Sequence, residues 1–350
     1  MDELDNSEKQ LSPREGQLRV SIIAYLPRAL RGLGIDPEPL LAARSLTEAD
    51  LRDQDRYLDY ATVGWLLNRG AQISGRPDLP LLVAAQGGTR DLGAVGRLMR
   101  AAPDVRSALR SLVDSMHVHD TGAVVALAIE GELVYLSYGV YVPDCPGCEH
   151  LNAGAILMAY RLLKEICGPR WRPLDIRLPC RRPDRPHLFS QHFGSANIRY
   201  QSEISAVVFS KAWLDYPNAL ADQRQARANV PAPNEALTSA PIDLRHFARR
   251  QLRTMILTHD TPCQASLANA LGVHERTLNR IFQRYATTFR KELSAARREV
   301  ASQLLRDTDL TAGQIAAYLG YSDCSAFGRA FKKACGVSPD VWRQTSMSSA

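Results

Sequence analysis

One block of sequence in the last third of the chain is written twice. Leu267-Ala-Asn-Ala-Leu-Gly272 and Ile315-Ala-Ala-Tyr-Leu-Gly320 align at an offset of 48, and Leu278, Arg280 and Phe282 align with Phe327, Arg329 and Phe331 at an offset of 49. The second copy therefore carries one extra residue in its turn. Each copy reads as a helix, a glycine-containing turn and a second helix, the helix-turn-helix pattern. Ala268 and Ala316 are small where two helices must cross closely, because a larger side chain would push them apart. Gly272 and Gly320 suit a helix C-terminus, where the chain needs φ > 0 without the penalty of a Cβ.

The second helix of each copy has two faces. Leu278, Ile281 and Phe282 form an apolar face in the first, and Phe327, Ala330 and Phe331 do so in the second. At 100° per residue, Arg276, Arg280 and Gln283 fall about 140–200° from Leu278 and point outward, with Asn279 at the flank. Ser325, Arg329 and Lys332 occupy the same sector relative to Phe327. Arg pairs with guanine, Asn and Gln with adenine, Ser with either, and Lys with guanine or phosphate, so both outward faces suit base edges and phosphates. A solvated surface face is the ordinary reading of one such helix. Two faces matching in register 49 residues apart favour contact with DNA.

Between the copies, Phe289–Leu305 reads as one helix with Leu293, Ala296, Val300 and Leu304 apolar. At ~1.5 Å per residue it spans roughly 24 Å. With helix widths added, that length sets two recognition helices in adjacent major grooves, ~34 Å apart on one DNA face, and implies a bipartite site. Charge agrees. Of 43 Lys+Arg and 37 Asp+Glu in the 350-residue chain, 16 and 9 lie from Asp243 to the end, leaving 27 and 28 upstream. A basic surplus confined to one region suits a polyanion, since each phosphate neutralised releases a counterion.

Upstream, Gln223–Pro241 holds three prolines and few large apolar residues, which reads as a linker. Residues before it mix α and β signals. Leu58, Ala61, Trp65 and Leu66 have helical spacing, as do Val105, Leu109, Leu112, Val113 and Met116. Ala123–Ile129 and Leu133–Val140, separated by Glu130-Gly131-Glu132, read as a hairpin. A helix is expected over Leu151–Ile166, stopped by Gly168-Pro169, with further strands at Leu174–Leu178 and Ala206–Phe209. The opening MDELDNSEKQ lacks a basic segment followed by an apolar run, so no secretion signal is expected. No apolar run of about 18 residues predicts a membrane span. Seven cysteines, an odd number without framework spacing, suit a reducing cytoplasm.

Cys145-Pro-Gly-Cys148-Glu-His150 has the form of a soft-metal or redox motif, which Cys167 and Cys180 could complete. A cysteine-based metal or redox sensor, or a thiol-chemistry protein of repair type, is thus the alternative. Against it, Cys167 shares a helical stripe with Ile156, Tyr160 and Leu163, no second close pair follows, and loop cysteines without special role are the default. His117-Val-His119 ends a helical pattern and reads as a satisfied helix terminus. Gly87-Gly88 is too little for a phosphate loop, and no nucleophile elbow or defensible carboxylate pair is present. Neither an enzyme nor a cofactor is expected.

Residues 304–343 resemble the signature of the AraC/XylS family of bacterial transcription regulators. The matching points are Ile315-Ala-x-x-Leu-Gly-Tyr321, Ser325-Ala-Phe-x-Arg-Ala-Phe331, Gly336-Val-Ser-Pro339 and Trp342-Arg343; the likeness covers about residues 244–343. It implies base-facing roles for Arg276 and Arg280 in the first helix and for Cys324, Ser325 and Arg329 in the second. Cys324 departs from the polar residues common there, and His274-Glu275 replaces a Ser-rich start, which weakens that N-cap. Residues 20–215 resemble, more weakly, the arabinose-binding-like regulatory domain of some members, through Phe189-Ser-Gln-His-Phe193, Ile198-Arg-Tyr200, Val207-Val-Phe209 and Trp213-Leu-Asp-Tyr-Pro217. The resemblance implies double-stranded DNA, a small-molecule effector, RNA polymerase and a second copy of the chain as partners, without naming arabinose as the effector. The fold class expected is an α+β N-terminal regulatory domain followed by an all-α C-terminal domain with two helix-turn-helix motifs joined by a long helix. The divisions expected are a disordered 1–16, a regulatory domain 17–222, a linker 223–242, a DNA-binding domain 243–345 and a tail 346–350. Within the DNA-binding domain the motifs lie at about 264–284 and 311–335.

Overall fold

The computed structural model describes residues 16–53, 56–142, 145–202, 204–221, 244–258, 261–271 and 273–348. The stretch read as a linker, most of the opening segment and Gly272 lie outside the described residues. Two compact units are present, divided between Pro241 and Ile242.

The first unit is α+β. Its elements in order are β1 (Gln17–Arg19), α1 (Leu26–Gly32), α2 (Glu38–Ala42), α3 (Glu48–Arg52), β2 (Tyr57–Asp59), α4 (Tyr60–Ser74), α5 (Leu79–Ala84), α6 (Gly93–Ala101) and α7 (Val105–Ser115). There follow β3 (Ala123–Glu130), β4 (Leu133–Val140), α8 (Cys148–Cys167), β5 (Asp175–Arg177), α9 (Pro186–Ser190), β6 (Asn197–Arg199) and β7 (Ser205–Ser210). The main sheet runs β3-β4-β7-β5-β6 and is antiparallel except where β5 meets β6. The hairpin turns through Gly131 at φ 58°, and Glu130 pairs with Leu133, so Glu130 belongs to the strand rather than to the loop. That φ is what a two-residue hairpin connection requires.

Helix α8 packs on the sheet and begins three residues before the expected Leu151. Its ends are set by Gly147 at φ 66° and Gly168 at φ 84°. On α7 the expected stripe holds, with Val105, Leu109 and Leu112 buried. On α4 it does not. Leu58 sits in β2, Ala61 is exposed, and the buried face is Tyr60, Val63, Leu66 and Leu67. Apolar residues surround that helix, so spacing alone did not fix which side turns inward. Gly16, read as disordered, instead accepts the Tyr60 backbone N–H through its carbonyl at 3.1 Å.

The second unit is all helix among its described residues: α10 (Leu244–Leu257), α11 (Gln264–Ala270), α12 (Glu275–Arg284), α13 (Phe289–Asp307), α14 (Ala312–Tyr318), α15 (Cys324–Cys335) and α16 (Pro339–Ser348). Helix α16 continues through part of the stretch read as a tail. Ala268 and Ala316 are buried at the crossings, and Gly320 adopts φ 70°. The turn from α11 to α12 is one residue shorter than that from α14 to α15, as the two offsets required.

Candidate nucleic-acid interface and internal cavity

Helices α12 and α15 each follow a short helix across a tight turn and bury one face. Leu278, Ile281 and Phe282 are buried on α12, and Phe327 and Phe331 on α15, with Ala330 half-buried. All eight candidate contacts, Arg276, Asn279, Arg280 and Gln283 on α12 and Cys324, Ser325, Arg329 and Lys332 on α15, are exposed. They are brought together as two separate faces, one per motif.

Local chemistry fixes the start of each helix. Asp323 accepts the Ala326 N–H at 2.7 Å, and this bond holds its carboxyl below the ordinary range. Thr311 and Gln314 cap α14 reciprocally. On α12, His274 caps through Nδ1, which accepts the Arg276 N–H at 3.2 Å. The start expected to be weak for want of a serine is thus capped by an imidazole nitrogen in place of the usual hydroxyl acceptor.

The closing signature residues also have physical roles. Trp342 meets Phe331 edge-on at 5.8 Å between ring centroids. Arg343 donates to the Leu305 carbonyl at 3.2 Å and to the Leu310 carbonyl, tying α16 to the end of α13. Gly336 ends α15 at φ 81°, and Pro339 opens α16.

Not all the basic surplus faces outward. On α10, Arg245 and Arg249 donate to the buried Glu292 carboxylate of α13 at 2.9 Å each, and Arg253 pairs with Glu299 at 2.5 Å. Burial alone would push the Glu292 carboxyl up; hydrogen bonds from Thr287, Arg249 and Arg245 hold it below its ordinary value. Sequence reading missed this network because its members lie more than 40 residues apart. By contrast, no ion pair among the described residues takes up Arg276, Arg280, Arg329 or Lys332.

The first unit holds a pocket between α5, α7, α8 and the β3–β4 hairpin, partly open to solvent, with about 810 Å³ of space unfilled by atoms when the solvent at its mouth is included. Leucine, isoleucine, valine, alanine and methionine side chains supply most of the wall, while His119, Asp120, Ser137 and Tyr138 supply its polar side chains. Asp120 accepts from the Tyr60 hydroxyl at 2.5 Å, the Tyr138 hydroxyl at 2.8 Å, the Gly122 N–H at 2.9 Å and the Ala123 N–H at 3.0 Å. His119 is different: it is buried, and neither ring nitrogen has a hydrogen-bond partner. Burial drives its pKa down to about 3, with Arg19 adding to the effect. The reading of His117-Val-His119 as a satisfied helix terminus holds for the first histidine and is corrected for the second. His117 is the satisfied helix terminus, with Nδ1 2.9 Å from the Asp114 carbonyl, whereas His119 faces the cavity.

Residues 34–218, more than half of the chain, match the arabinose-binding N-terminal domain of AraC transcription regulators. The chain belongs to the AraC family. Residues 267–345 of this AraC regulator match a helix-turn-helix domain, so it is a DNA-binding transcription regulator. It is 32% identical to an uncharacterized HTH-type transcriptional regulator of Mycobacterium tuberculosis over 145 residues, 39% of this chain and 42% of that protein's length. It is similar at 22% identity to the HTH-type transcriptional regulator VirS of the same species over 336 residues, covering 90% of this chain and 92% of that one. The crystal structure of the transcriptional regulator CdpR from Pseudomonas aeruginosa is 22% identical and covers 91% of this chain and 97% of that one, at a TM-score of 0.42.

Three of the seven cysteines, Cys145, Cys148 and Cys167, are buried in the first unit of this AraC regulator. Cys145 and Cys148, read as loop residues, are both buried. The Cys145 thiol points to the Tyr60 carbonyl at 3.6 Å, and Cys148 opens α8, accepting from Asn152 at 3.6 Å. Their connecting loop lies so close to α4 that a Cβ on Gly64 would come within 1.9 Å of the Pro146 carbonyl oxygen. Cys167 is in the core as expected, with its thiol pushed up to about 12 by burial. Among the described residues, no group of three His, Cys, Asp or Glu is placed to hold a metal ion, and no helix is long and apolar enough to cross a membrane.

Proposed function

We propose that this regulator reads a bipartite DNA site with a single subunit, α12 entering one major groove and α15 the next, under control of a small molecule held in its first unit. Arg276, Arg280 and Arg329 read guanine, Asn279 and Gln283 read adenine, Ser325 reads either base, and Cys324 offers its apolar surface to a thymine methyl. Lys332 neutralises phosphate. The observation that carries this reading is the match of two exposed faces placed 49 residues apart in the sequence. The 19-residue α13 joining the motifs supports it, since a helix of that length is roughly 28 Å long. Effector control rests on the cavity, a largely apolar hollow with a few converging polar groups being the usual form of a ligand site. A ligand bound there shifts the population of conformers competent for DNA only by the difference in its affinity for them.

A gel-shift titration on the full chain tests the DNA half, using an operator selected by the protein from random-sequence duplex. Arg280→Ala and Arg329→Ala should each relax base preference at a different position of the operator. Unchanged preference in both would remove the assignment.

A further inference from the structure

The cavity's chemistry narrows what its occupant is. Leu67, Val83, Leu112, Val125, Leu136 and Met158 present hydrocarbon to the space, and no lysine or arginine lines it. A polyhydroxylated sugar placed there would lose hydrogen bonds to water and meet few replacements, at a cost that rises with each hydroxyl. A carboxylate would lie close to the ionisable Asp120, with no lining cation to balance it. The Asp120 carboxyl is already occupied by two tyrosine hydroxyls and two backbone N–H groups.

His119 is the unfinished part of this arrangement. Buried side-chain nitrogens are normally paired, because an orphan forfeits its bonds to water. Both imidazole nitrogens of His119 are orphaned and the residue lines the cavity. A neutral imidazole presents one N–H donor and one acceptor nitrogen, so it can answer either a hydroxyl or a carbonyl. Burial keeps this ring neutral.

We infer that the cavity binds an uncharged, mainly hydrocarbon molecule carrying one hydroxyl or carbonyl, with His119 as the hydrogen-bond partner of that group. This rests on the effector reading above and gives the effector its chemical class.

Calorimetric titration of the full chain at neutral pH tests it with four probes: 4-propylphenol, propylbenzene, 4-propylbenzoate and L-arabinose. The phenol should bind at one per chain, with propylbenzene and the benzoate each at least about ten-fold weaker, a loss on the scale of one buried hydrogen bond or an unpaired charge, and with no heat from arabinose. In His119→Phe, which keeps an aromatic ring and removes both nitrogens, the preference for the phenol over propylbenzene should vanish. If that variant does not fold, isotope-labelled histidine in the wild-type chain gives the same reading, because the His119 ring nitrogen resonances should move on adding the phenol and stay fixed on adding arabinose. Benzoate or arabinose binding as tightly as the phenol overturns the inference. So does an absence of phenol binding, an unmoved His119 resonance, or a preference that survives in His119→Phe. A gel shift beside the titration separates this from effector control. Phenol binding through His119 with unaltered operator affinity keeps the ligand class and removes the control. Arabinose binding that alters operator affinity does the reverse.

Discussion

At the scale of single residues, exposure and pairing separate side chains that share a charge. Arg253 and Arg329 are both arginines of the second unit, yet Arg253 is committed to Glu299 inside the domain while Arg329 stands exposed on α15. Arg329→Ala should therefore weaken operator binding by about 1–3 kcal/mol, concentrated at one base position. Lys332→Ala should weaken all sequences more evenly and reduce the slope of log affinity against log salt by about one. Gel shifts across a salt series measure both. His119 gives a pH prediction. Its folded pKa of about 3 lies below the ordinary 6.5, so the unfolded chain takes up a proton first as pH falls. The folded state thus loses stability from about pH 6.5 downward, by about 1.4 kcal/mol per pH unit, and loses none above it. His150, lowered chiefly by burial, acts with the same sign. Asp78 stays ionised until about pH 2, because hydrogen bonds from His192 and Arg76 outweigh its burial. Urea unfolding between pH 7 and 4.5 should accordingly show a shallower decline in His119→Phe than in the wild type, by about one proton's worth of slope.

Among the elements, those with a strong period were legible and those defined by distant partners were not. The second helices of both motifs could be placed, and their outward residues named, because each buries one narrow face at regular spacing. The hairpin was legible from two apolar runs around a glycine. Strands β1, β2 and β6 are three residues long and carry no period to read. Nor does sequence show a cavity, which is a gap between segments as distant as Leu18 and Leu162. His119 looked like an ordinary helix end because its lack of partners exists only in three dimensions. The α10–α13 contact was hidden for the same reason, and it is testable. Glu292→Ala leaves Arg245 and Arg249 without their buried counter-charge and should destabilise the second unit by about 3 kcal/mol, near the low end for a broken buried pair because Arg245 is partly solvated. Gly320→Ala, at φ 70°, should cost about 1 kcal/mol through the left-handed backbone alone. Denaturant unfolding monitored by Trp342 fluorescence would check both, and a Gly320→Ala chain as stable as wild type would show that the turn relaxes.

For the whole molecule, the division of labour follows from where charge and hydrocarbon lie. The basic surplus is confined to the helical unit, and the apolar cavity with its orphan imidazole belongs to the mixed unit. Membership of the AraC family joins the two as DNA reading and regulation. We propose that one chain presents two separate reading heads to one duplex. Methylation interference on the selected operator, with the full wild-type chain and the Arg280→Ala and Arg329→Ala variants, measures this most directly. Two clusters of interfering guanines should appear in successive major grooves, about one helical turn apart, one lost in Arg280→Ala and the other in Arg329→Ala. A single cluster, or one erased by both substitutions, would contradict it.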